Sequence, residues 1–464
     1  MSDPTAYLLE RAWVDGAVRD DVLVRIDEGR FTFVTPDTPR GHSRHFSSVA
    51  TPEERRDTRL AGDPDKDQPG HHEPVHLSGL TIPGLANGHS HAFHRALRGR
   101  TQRGRGTFWT WREQMYAVAQ RLDPEAYLAL ATVTFREMVA AGITCVGEFH
   151  YLHHQADGTP YDDPNAMGHA LLEAARIAGL RITLLDTCYL MAGIGRPVEG
   201  VQRRFSDGDV DGWGERVAAL RGTDGARIGG AYHSVRAVPL DQMRTRTASP
   251  LHIHLSEQVA ENEQSLAAYG LTPTQVFAEA GHLTEWNTLV HATHLTDDDV
   301  RLIGEARAYV DFCPTTERDL GDGIGPGRAL HDAGARLTVG SDSHAVVDLF
   351  EEMRAVELDE RLATRQRGHW TATELLQAGT RHDSLGWEDA GLIAVGCRAD
   401  LVTIGTDHVR TAGTGADEHT AVFAAVAEDV TQVVVDGRIV FRQGERDQLG
   451  RDLATAIDRI WEPA

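Results

Sequence analysis

The stretch AMGHALLEAARIAGLRITLLDTCY, residues 166–189, contains the unit from which we infer the fold. Residues 166–179 have the apolar spacing of an amphipathic helix, and residues 181–189 form a short apolar run typical of a buried strand. Strands that alternate with helices along a chain are typical of a parallel sheet. The segment therefore predicts an α/β fold.

The same alternation continues from residue 80 to about residue 385. About eight units over about 300 residues favour a (β/α)8 TIM-like barrel over an open parallel sheet. The other strand-like runs, most of them preceded by a helix-like stretch, are GITCVGEFH (142–150), ARIGGAYHSVRAV (226–238), PLHIHLSEQ (250–258), NTLVHATHL (287–295), AYVDFCP (308–314) and RLTVGSDSH (336–344).

The two ends of the chain have a different pattern of short alternating strands separated by turn residues, as in VTQVVVDGRIVFRQGE (430–445). We expect residues 1–80 and 386–464 to form the two halves of a small β-sandwich domain, with the barrel of residues 81–385 inserted between them. Residues 36–76 are polar and rich in Pro, Gly and charge, which predicts a flexible surface insertion.

The net charge of −23 disfavours nucleic acid and anionic membranes as partners, because both are polyanions. The start of the chain lacks the basic and apolar segments of a secretory signal, and no uncharged apolar run is long enough to span a bilayer. The four cysteines, Cys145, Cys188, Cys313 and Cys397, form no C-x-x-C pair. We expect them to be reduced, buried thiols of a cytoplasmic protein.

Lys66 is the only lysine and lies in a polar stretch. The chain therefore offers no plausible Schiff-base lysine and no lysine placed to become a carbamylated bridge between two metals. Any metal centre is expected to be mononuclear.

The segment PGLANGHSHAFHRALRGR, residues 83–100, contains three histidines that could be metal ligands, catalytic groups or polar loop residues. In His-x-His at a strand end the two imidazoles point the same way, so one cation could bind both. Barrel enzymes have their active residues at the carboxyl ends of the strands. The ionisable groups expected there are His89, His91, Glu148, His150, Tyr151, His233, Arg236, His252, His254, Glu257, His291, His294, Asp342 and His344.

His254 lies at a predicted strand end and Glu257 follows where the chain turns, so the imidazole could bind a metal while the carboxylate lies beside its water. His252 has the same parity as His254 but lies deeper in the strand. Asp342 ends a late strand and would add an anionic ligand. Three imidazoles and one carboxylate leave a divalent cation an open position, as in catalytic sites, which predicts a metal-dependent hydrolase.

The motifs PGLANGHSH (83–91), HIHLSEQ (252–258), LVHATH (289–294) and GSDSH (340–344), in this order, resemble the mononuclear deaminase branch of the amidohydrolase superfamily. Within that branch, NGHSHAFHRALRGR (87–100), FWTWREQMY (108–116), GEFHYLHH (147–154) and HSVRAV (233–238) are similar to the formimidoylglutamate deiminases of bacterial histidine degradation. The resemblance covers nearly the whole chain. It implies hydrolysis of N-formimidoyl-L-glutamate to N-formyl-L-glutamate and ammonia, with one Zn²⁺ as cofactor and a homodimer as assembly.

The resemblance also implies a role for individual residues. The expected metal ligands are His89, His91, His254 and Asp342; the catalytic groups are Glu257, His291 and Asp342; the residues that contact the substrate are His94, Arg112, Tyr151, His233 and Arg236. The family often has Gln where this chain has His94, which is the one departure from the pattern.

The substrate in question is a small dicarboxylate, and Arg112 and Arg236 are suitable partners because guanidinium binds carboxylate through paired hydrogen bonds. From its position alone, Arg112 could equally be a surface residue of a helix. The alternative function is deamination of a nucleobase such as guanine or cytosine, which requires a flat apolar slot and amide-type hydrogen bonds more than two arginines. A non-catalytic binding protein would be expected to lack part of the ionisable set.

Overall fold

The computed structural model describes residues 5–35, 73–102, 105, 108–244 and 249–462. Most of the predicted insertion, residues 36–72, lies outside the described residues. The last part of the predicted insertion is structured, because a strand begins at Val75.

Strands at both ends of the chain flank a central series of parallel strands. In chain order the strands are β1 (Thr5–Val14), β2 (Ala17–Asp27), β3 (Arg30–Val34), β4 (Val75–Pro83), β5 (Leu85–Ser90), β6 (Ile143–His150), β7 (Arg181–Cys188), β8 (Met191–Gly193), β9 (Arg196–Pro197), β10 (Ala226–Tyr232), β11 (Leu251–Leu255), β12 (Asn287–His291), β13 (Tyr309–Phe312), β14 (Arg336–Val339), β15 (Leu401–Ile404), β16 (Val430–Val435) and β17 (Arg438–Arg442).

The α-helices lie mostly between the parallel strands. They are α1 (Phe108–Arg121), α2 (Pro124–Ala140), α3 (Ala166–Ala178), α4 (Val210–Val217), α5 (Leu240–Met243), α6 (Val259–Tyr269), α7 (Pro273–Glu279), α8 (Asp297–Ala306), α9 (Pro314–Leu320), α10 (Gly327–Ala333), α11 (Leu349–Thr364), α12 (Ala372–Gly379), α13 (Glu418–Phe423) and α14 (Arg446–Trp461). Short 3-10 helices include residues 92–97 and 200–205.

The ends of these helices follow from side chains that bond to the backbone. Asp123 precedes α2 and accepts a hydrogen bond from the Ala126 amide, with Pro124 in the first helical position. Thr296 and Asp299 form a reciprocal capping box at the start of α8. Such caps satisfy amide groups that have no partner within the helix and thereby fix where the helix begins.

Eight parallel strands form the barrel, in the order β5, β6, β7, β10, β11, β12, β13 and β14. An isolated parallel bridge between Ser90 and Asp342 joins the first strand to the segment after the last one. The predicted α/β barrel is confirmed. The bridge also brings the His-x-His segment beside the aspartate that follows β14.

The apolar run that precedes the histidines belongs to the other sheet, although the predicted barrel begins at residue 81. The apolar run that ends at Pro83 is β4, and β4 pairs with β1 and β15 of the other sheet. The barrel begins only at β5, which itself contains His89. The change of sheet occurs at Gly84, where a Cβ atom would lie 2.1 Å from the Thr144 hydroxyl oxygen. A larger residue would not fit at this crossing.

Strands from both ends of the chain form one seven-stranded mixed sheet, in the order β17, β16, β15, β4, β1, β2 and β3. Leu9, Val24 and Leu401, which come from the two ends of the chain, are fully buried in one core. The predicted β domain built from both termini is confirmed, while its boundaries at residues 80 and 386 stay predictions. The C-terminal helix α14 reaches the barrel side, where the Trp461 indole donates to the carbonyl of Ala96.

Two further expectations concern the chain as a whole. Cys145, Cys188 and Cys313 are buried, Cys397 is half-buried, and all four are free thiols, as predicted. Among the described residues, no helix combines the length and apolarity that a membrane crossing requires.

A buried ion pair connects the barrel to the mixed sheet. Arg181, the first residue of β7, donates to both carboxylate oxygens of Asp400, and both side chains are 1% exposed. Arg181 also donates to Asp436 at 3.0 Å. Removing one partner from a buried pair is costly because the other charge remains in an apolar environment.

Substitution of Asp400 by Asn is therefore expected to lower the free energy of unfolding by about 3 kcal/mol, measured by chemical denaturation. The control is Asp20→Asn, which removes a carboxylate from an exposed pair with Arg11 and should cost less than about 1 kcal/mol. Equal, small losses in the two variants would contradict a stabilising role for the buried pair.

Candidate active site and metal centre

The His-x-His segment brings two imidazoles together at the carboxyl end of β5. The Nε2 atoms of His89 and His91 are 3.2 Å apart, and both side chains are buried. The Nδ1 atom of His91 lies 2.9 Å from the carbonyl oxygen of Phe149. A carbonyl only accepts, so Nδ1 of His91 carries the proton and its Nε2 presents a lone pair.

A third imidazole comes from the end of β11. Nε2 of His254 is 3.0 Å from Nε2 of His89, and its Nδ1 donates to the carbonyl oxygen of His233 at 2.9 Å. The same reasoning assigns a lone pair to Nε2 of His254. His252, two residues earlier, is not part of this group, because its Nε2 lies against the carbonyl of Ser384.

Asp342 completes the group from the segment after β14. Its Oδ1 lies 3.4 Å from Nε2 of both His89 and His91. Burial raises the pKa of Asp342, but its interactions with His89 and neighbouring imidazoles outweigh burial and hold the pKa below its usual range. Asp342 has a φ of 36° and His291 a φ of 70°, in the left-handed region where strain is common at functional sites.

These four side chains have the properties of a metal site. Burial lowers the pKa of His89 to about 3, so the imidazole is neutral, as a metal ligand must be. The Nε2 lone pairs of His91 and His254 and the Oδ1 atom of Asp342 are three hydrogen-bond acceptors that lie close together. Nε2 of His89 can supply at most one proton to them, so it cannot satisfy all three. A divalent cation would satisfy them, so His89, His91, His254 and Asp342 could together hold a metal ion.

Glu148, near the end of β6, supports the His-x-His segment and received no role from the sequence. Its two carboxyl oxygens accept hydrogen bonds of 2.7 Å from the Ser90 hydroxyl and the Ala92 amide. Burial raises the pKa of Glu148 to about 8, although both hydrogen bonds oppose the shift. Its place among the strand-end ionisable groups was the signal, but its partners depend on the fold.

Glu257 and His291 line one pocket together with His91, His254 and Asp342. Nδ1 of His291 is 3.3 Å from Oε1 of Glu317, and its Nε2 is 3.7 Å from Oδ2 of Asp342. Burial lowers the pKa of His291, but the Glu317 hydrogen bond and the nearby carboxylates outweigh burial and raise the pKa to about 10. Glu317, a buried residue in the first turn of α9, was also missed by the sequence analysis.

Both predicted arginines line the pocket. Nη2 of Arg236 lies 3.6 Å from Oε2 of Glu257, and its Nε lies 3.7 Å from Oε1 of the buried Glu261. Arg112 projects from α1, and its Nε donates to the hydroxyl of Tyr116 at 2.6 Å. Arg112 is therefore a pocket residue and not only a surface residue of its helix.

The other predicted substrate contacts, His94, Tyr151 and His233, line the same pocket as the arginines. Nε2 of His94 lies 3.0 Å from the hydroxyl of Tyr151, and both residues line the pocket. His233 also lines the pocket, and its ring centroid is 5.1 Å from that of His254. Burial is the main cause that lowers the pKa of His94 and of His233.

A second group of possible ligands, His150, His153 and Asp186, lies outside the pocket. Asp186 is already occupied, because Arg216 donates to both of its carboxylate oxygens at 2.7 Å. Since arginine keeps its charge at all physiological pH values, this group is a buried ion-pair network and a poor metal site. His291, Cys313 and Asp342 form a third group that shares Asp342 with the first.

The barrel and the ionisable residues gathered at its carboxyl end define a hydrolase-type active site. The chain belongs to the amidohydrolase family, whose family model matches residues 80–440. It is 37% identical over 391 residues to formimidoylglutamate deiminase from Pseudomonas aeruginosa, a match that covers 79% of this chain and 86% of the relative. The predicted membership is confirmed.

Solved structures agree with the fold. An amidohydrolase from Brucella melitensis aligns with a TM-score of 0.82 and 28% identity, over 98% of this chain and 100% of that one. An adenosine deaminase from Xanthomonas campestris, solved with bound zinc, aligns with a TM-score of 0.77 and 22% identity over 98% of each chain.

The four convergent side chains predict a metal content that depends on His254. Wild-type protein that has been loaded with zinc and then freed of unbound zinc should retain about one zinc ion per chain, measured by inductively coupled plasma mass spectrometry. His254→Ala should lose most of it because one of four ligands is gone. His252→Ala is the matched control, since this buried histidine of the same strand contacts Ser384 instead. Equal loss in both variants would contradict the ligand assignment.

Proposed function

We propose that the protein hydrolyses N-formimidoyl-L-glutamate to N-formyl-L-glutamate and ammonia. The observation that carries this proposal is a single pocket in which Arg112 and Arg236 accompany His91, His254 and Asp342. Two guanidinium groups suit a substrate with two carboxylates. The similarity to the Pseudomonas aeruginosa formimidoylglutamate deiminase supports the same substrate.

We propose one Zn²⁺ as the resident cofactor, held by His89, His91, His254 and Asp342. Three imidazoles and one carboxylate form a donor set that suits zinc, and catalytic zinc sites keep a position open. When bound, the cation would lower the pKa of a water toward about 7 and supply the nucleophile. The sequence contains a single lysine, Lys66, in a polar stretch, and this composition favours one cation over two bridged by a carbamylated lysine.

The surrounding side chains then handle the protons. Asp342 accepts the proton of the attacking water, and His291 orients that water and the attacked formimidoyl carbon. Glu257 carries a proton to the nitrogen that departs. The C–N bond to this nitrogen breaks, ammonia leaves, and the water oxygen becomes the carbonyl oxygen of the formyl group.

Substrate binding is assigned to His94, Arg112, Tyr151, His233 and Arg236. The two arginines pair with the carboxylates, and His94, Tyr151 and His233 add hydrogen bonds near the reacting group. Nε2 of His94 lies within hydrogen-bond distance of the Tyr151 hydroxyl. A neutral imidazole can both donate and accept a hydrogen bond, so His94 can replace the side-chain amide of the glutamine that the family often has at this position.

A guanine- or cytosine-type deaminase is the second function to consider. A nucleobase carries no carboxylate, so it would pair with neither Arg112 nor Arg236, whereas a dicarboxylate can pair with both. Two guanidinium groups in one pocket therefore favour a dicarboxylate over a nucleobase. A homodimer stays a prediction from the resemblance, and a cytoplasmic location stays a prediction from the cysteine pattern.

Incubation of the zinc-loaded protein with N-formimidoyl-L-glutamate should release ammonia and stoichiometric N-formyl-L-glutamate, quantified by enzymatic ammonia assay and mass spectrometry. Formamide with glutamate would place the cleavage at the other C–N bond. Turnover of guanine or cytosine without turnover of N-formimidoyl-L-glutamate would contradict the proposal.

Glu257→Gln should lower kcat by about 10²–10⁴-fold because the variant cannot carry the proton to the departing nitrogen. Zinc content should be unchanged, since Glu257 is not among the proposed ligands. The control is Glu263→Gln, the same change at an exposed position of α6, which should leave kcat at the wild-type value. Wild-type kcat in Glu257→Gln would refute the role of Glu257.

A further inference from the structure

The pocket contains two tyrosines that the sequence analysis did not select. Tyr116 comes from α1 and Tyr189 directly follows β7, and both line the same pocket as Arg112. A buried glutamine, Gln202 of the 3-10 helix at residues 200–205, connects them. Its Nε2 lies 3.0 Å from the hydroxyl oxygen of Tyr116 and 3.1 Å from that of Tyr189.

The orientation of the Gln202 amide is fixed by a backbone contact. The amide N–H of Glu199 donates to Oε1 of Gln202 at 3.3 Å, as part of a capping box. The Oε1 atom is therefore an acceptor, and the Nε2 group that faces the tyrosines can only donate. Both phenol oxygens consequently accept a hydrogen bond from Gln202.

Each phenol then has its own proton left to donate. The Tyr116 hydroxyl oxygen accepts a second hydrogen bond, from Nε of Arg112 at 2.6 Å. Because the oxygen is the acceptor in both of these hydrogen bonds, the hydroxyl proton is used in neither. Among the described residues, we find neither tyrosine hydroxyl donating a hydrogen bond. Burial raises the pKa of Tyr189 to about 12, so this hydroxyl keeps its proton at neutral pH.

Two phenol donors beside a guanidinium group match the chemistry of a carboxylate. A carboxylate offers about four lone-pair positions and accepts charge-assisted hydrogen bonds. Arg236 lies next to Glu257 and hence near the reacting carbon, whereas Arg112 contacts Tyr116. The Arg112 side of the pocket is thus the one available to the carboxylate farther from the formimidoyl group.

We propose that Tyr116 and Tyr189, oriented by Gln202, bind the side-chain carboxylate of the substrate together with Arg112. The inference rests on the proposed function and extends it, because it assigns selectivity for a dicarboxylate to Tyr116, Tyr189 and Arg112, with Gln202 in support. Tyr116 and Tyr189 contact the carboxylate, and Gln202 is a positioning residue that acts through them.

Steady-state kinetics with two substrates test the assignment. Tyr116→Phe and Tyr189→Phe should each raise KM for N-formimidoyl-L-glutamate about tenfold, because each loses one hydrogen bond to a charged group. Their kcat should stay within about twofold, since the contact is remote from the reacting carbon and binds ground state and transition state equally. With N-formimidoylglycine, which lacks the side-chain carboxylate, kcat/KM should be unchanged.

Gln202→Glu tests the direction of the hydrogen bonds. A carboxylate at this position can still accept from the Glu199 amide, but it accepts from both phenols and turns their protons away from the pocket. KM for N-formimidoyl-L-glutamate should rise at least as much as in either Phe variant. A wild-type KM in Gln202→Glu would overturn the proposed orientation.

The control is Tyr309→Phe. The Tyr309 hydroxyl also accepts a hydrogen bond from an arginine, Arg336, but Tyr309 is the first residue of β13 and therefore lies at the opposite end of the barrel. The substitution should leave KM unchanged. Equal losses on both substrates in the pocket variants would indicate a structural role and overturn the proposal.

Calorimetric titration with glutarate separates this inference from the proposed function. Weaker glutarate binding in Tyr116→Phe and Tyr189→Phe than in wild type would support the carboxylate site even if wild type did not turn over N-formimidoyl-L-glutamate. Equal glutarate binding in all three proteins would overturn the site, whatever the turnover.

Discussion

The active site depends on the convergence of three imidazole nitrogens and one carboxylate oxygen at the seam where the barrel closes. The backbone of Ser90, between His89 and His91, bridges to the backbone of Asp342 across this seam. The carbonyls of Phe149 and His233 fix the tautomers of His91 and His254, so that the Nε2 lone pairs of these two residues face the same point. The fold thereby holds two lone pairs and a carboxylate oxygen close together, where one divalent cation could bind all of them.

The remainder of the pocket divides into two functional parts. Glu257 and His291, the proposed acid–base groups, lie against the histidine group, with Arg236 adjacent to Glu257. The second part, built from α1 and the 3-10 helix at residues 200–205, contains Arg112 and the tyrosines that Gln202 connects. This separation allows carboxylate recognition to vary without disturbance of the proton-transfer groups, which is common in barrels whose strands carry chemistry and whose loops carry specificity.

Local patterns in the sequence predict part of this arrangement. His89, His91, His254 and Asp342 could be found because strand parity and the barrel rule both act over a few residues. The switch between sheets at Gly84 could not be found, because β4 and β5 follow each other with only Gly84 between them and the break depends on close contact with Thr144. The same limit explains why Glu148 had no role, since its partners Ser90 and Ala92 lie more than 50 residues away in the chain. Gln202 and Tyr116 are 86 residues apart, and no spacing rule joins them.

X-ray absorption spectroscopy of the zinc-loaded protein tests the central claim most directly, because it identifies the atoms bound to the metal. We expect one zinc per chain, surrounded by nitrogen from three imidazoles and by oxygen, with no sulfur neighbour. A sulfur neighbour would point to the group of His291, Cys313 and Asp342. That result, or two zinc ions per chain, would contradict the account of a single cation held by His89, His91, His254 and Asp342.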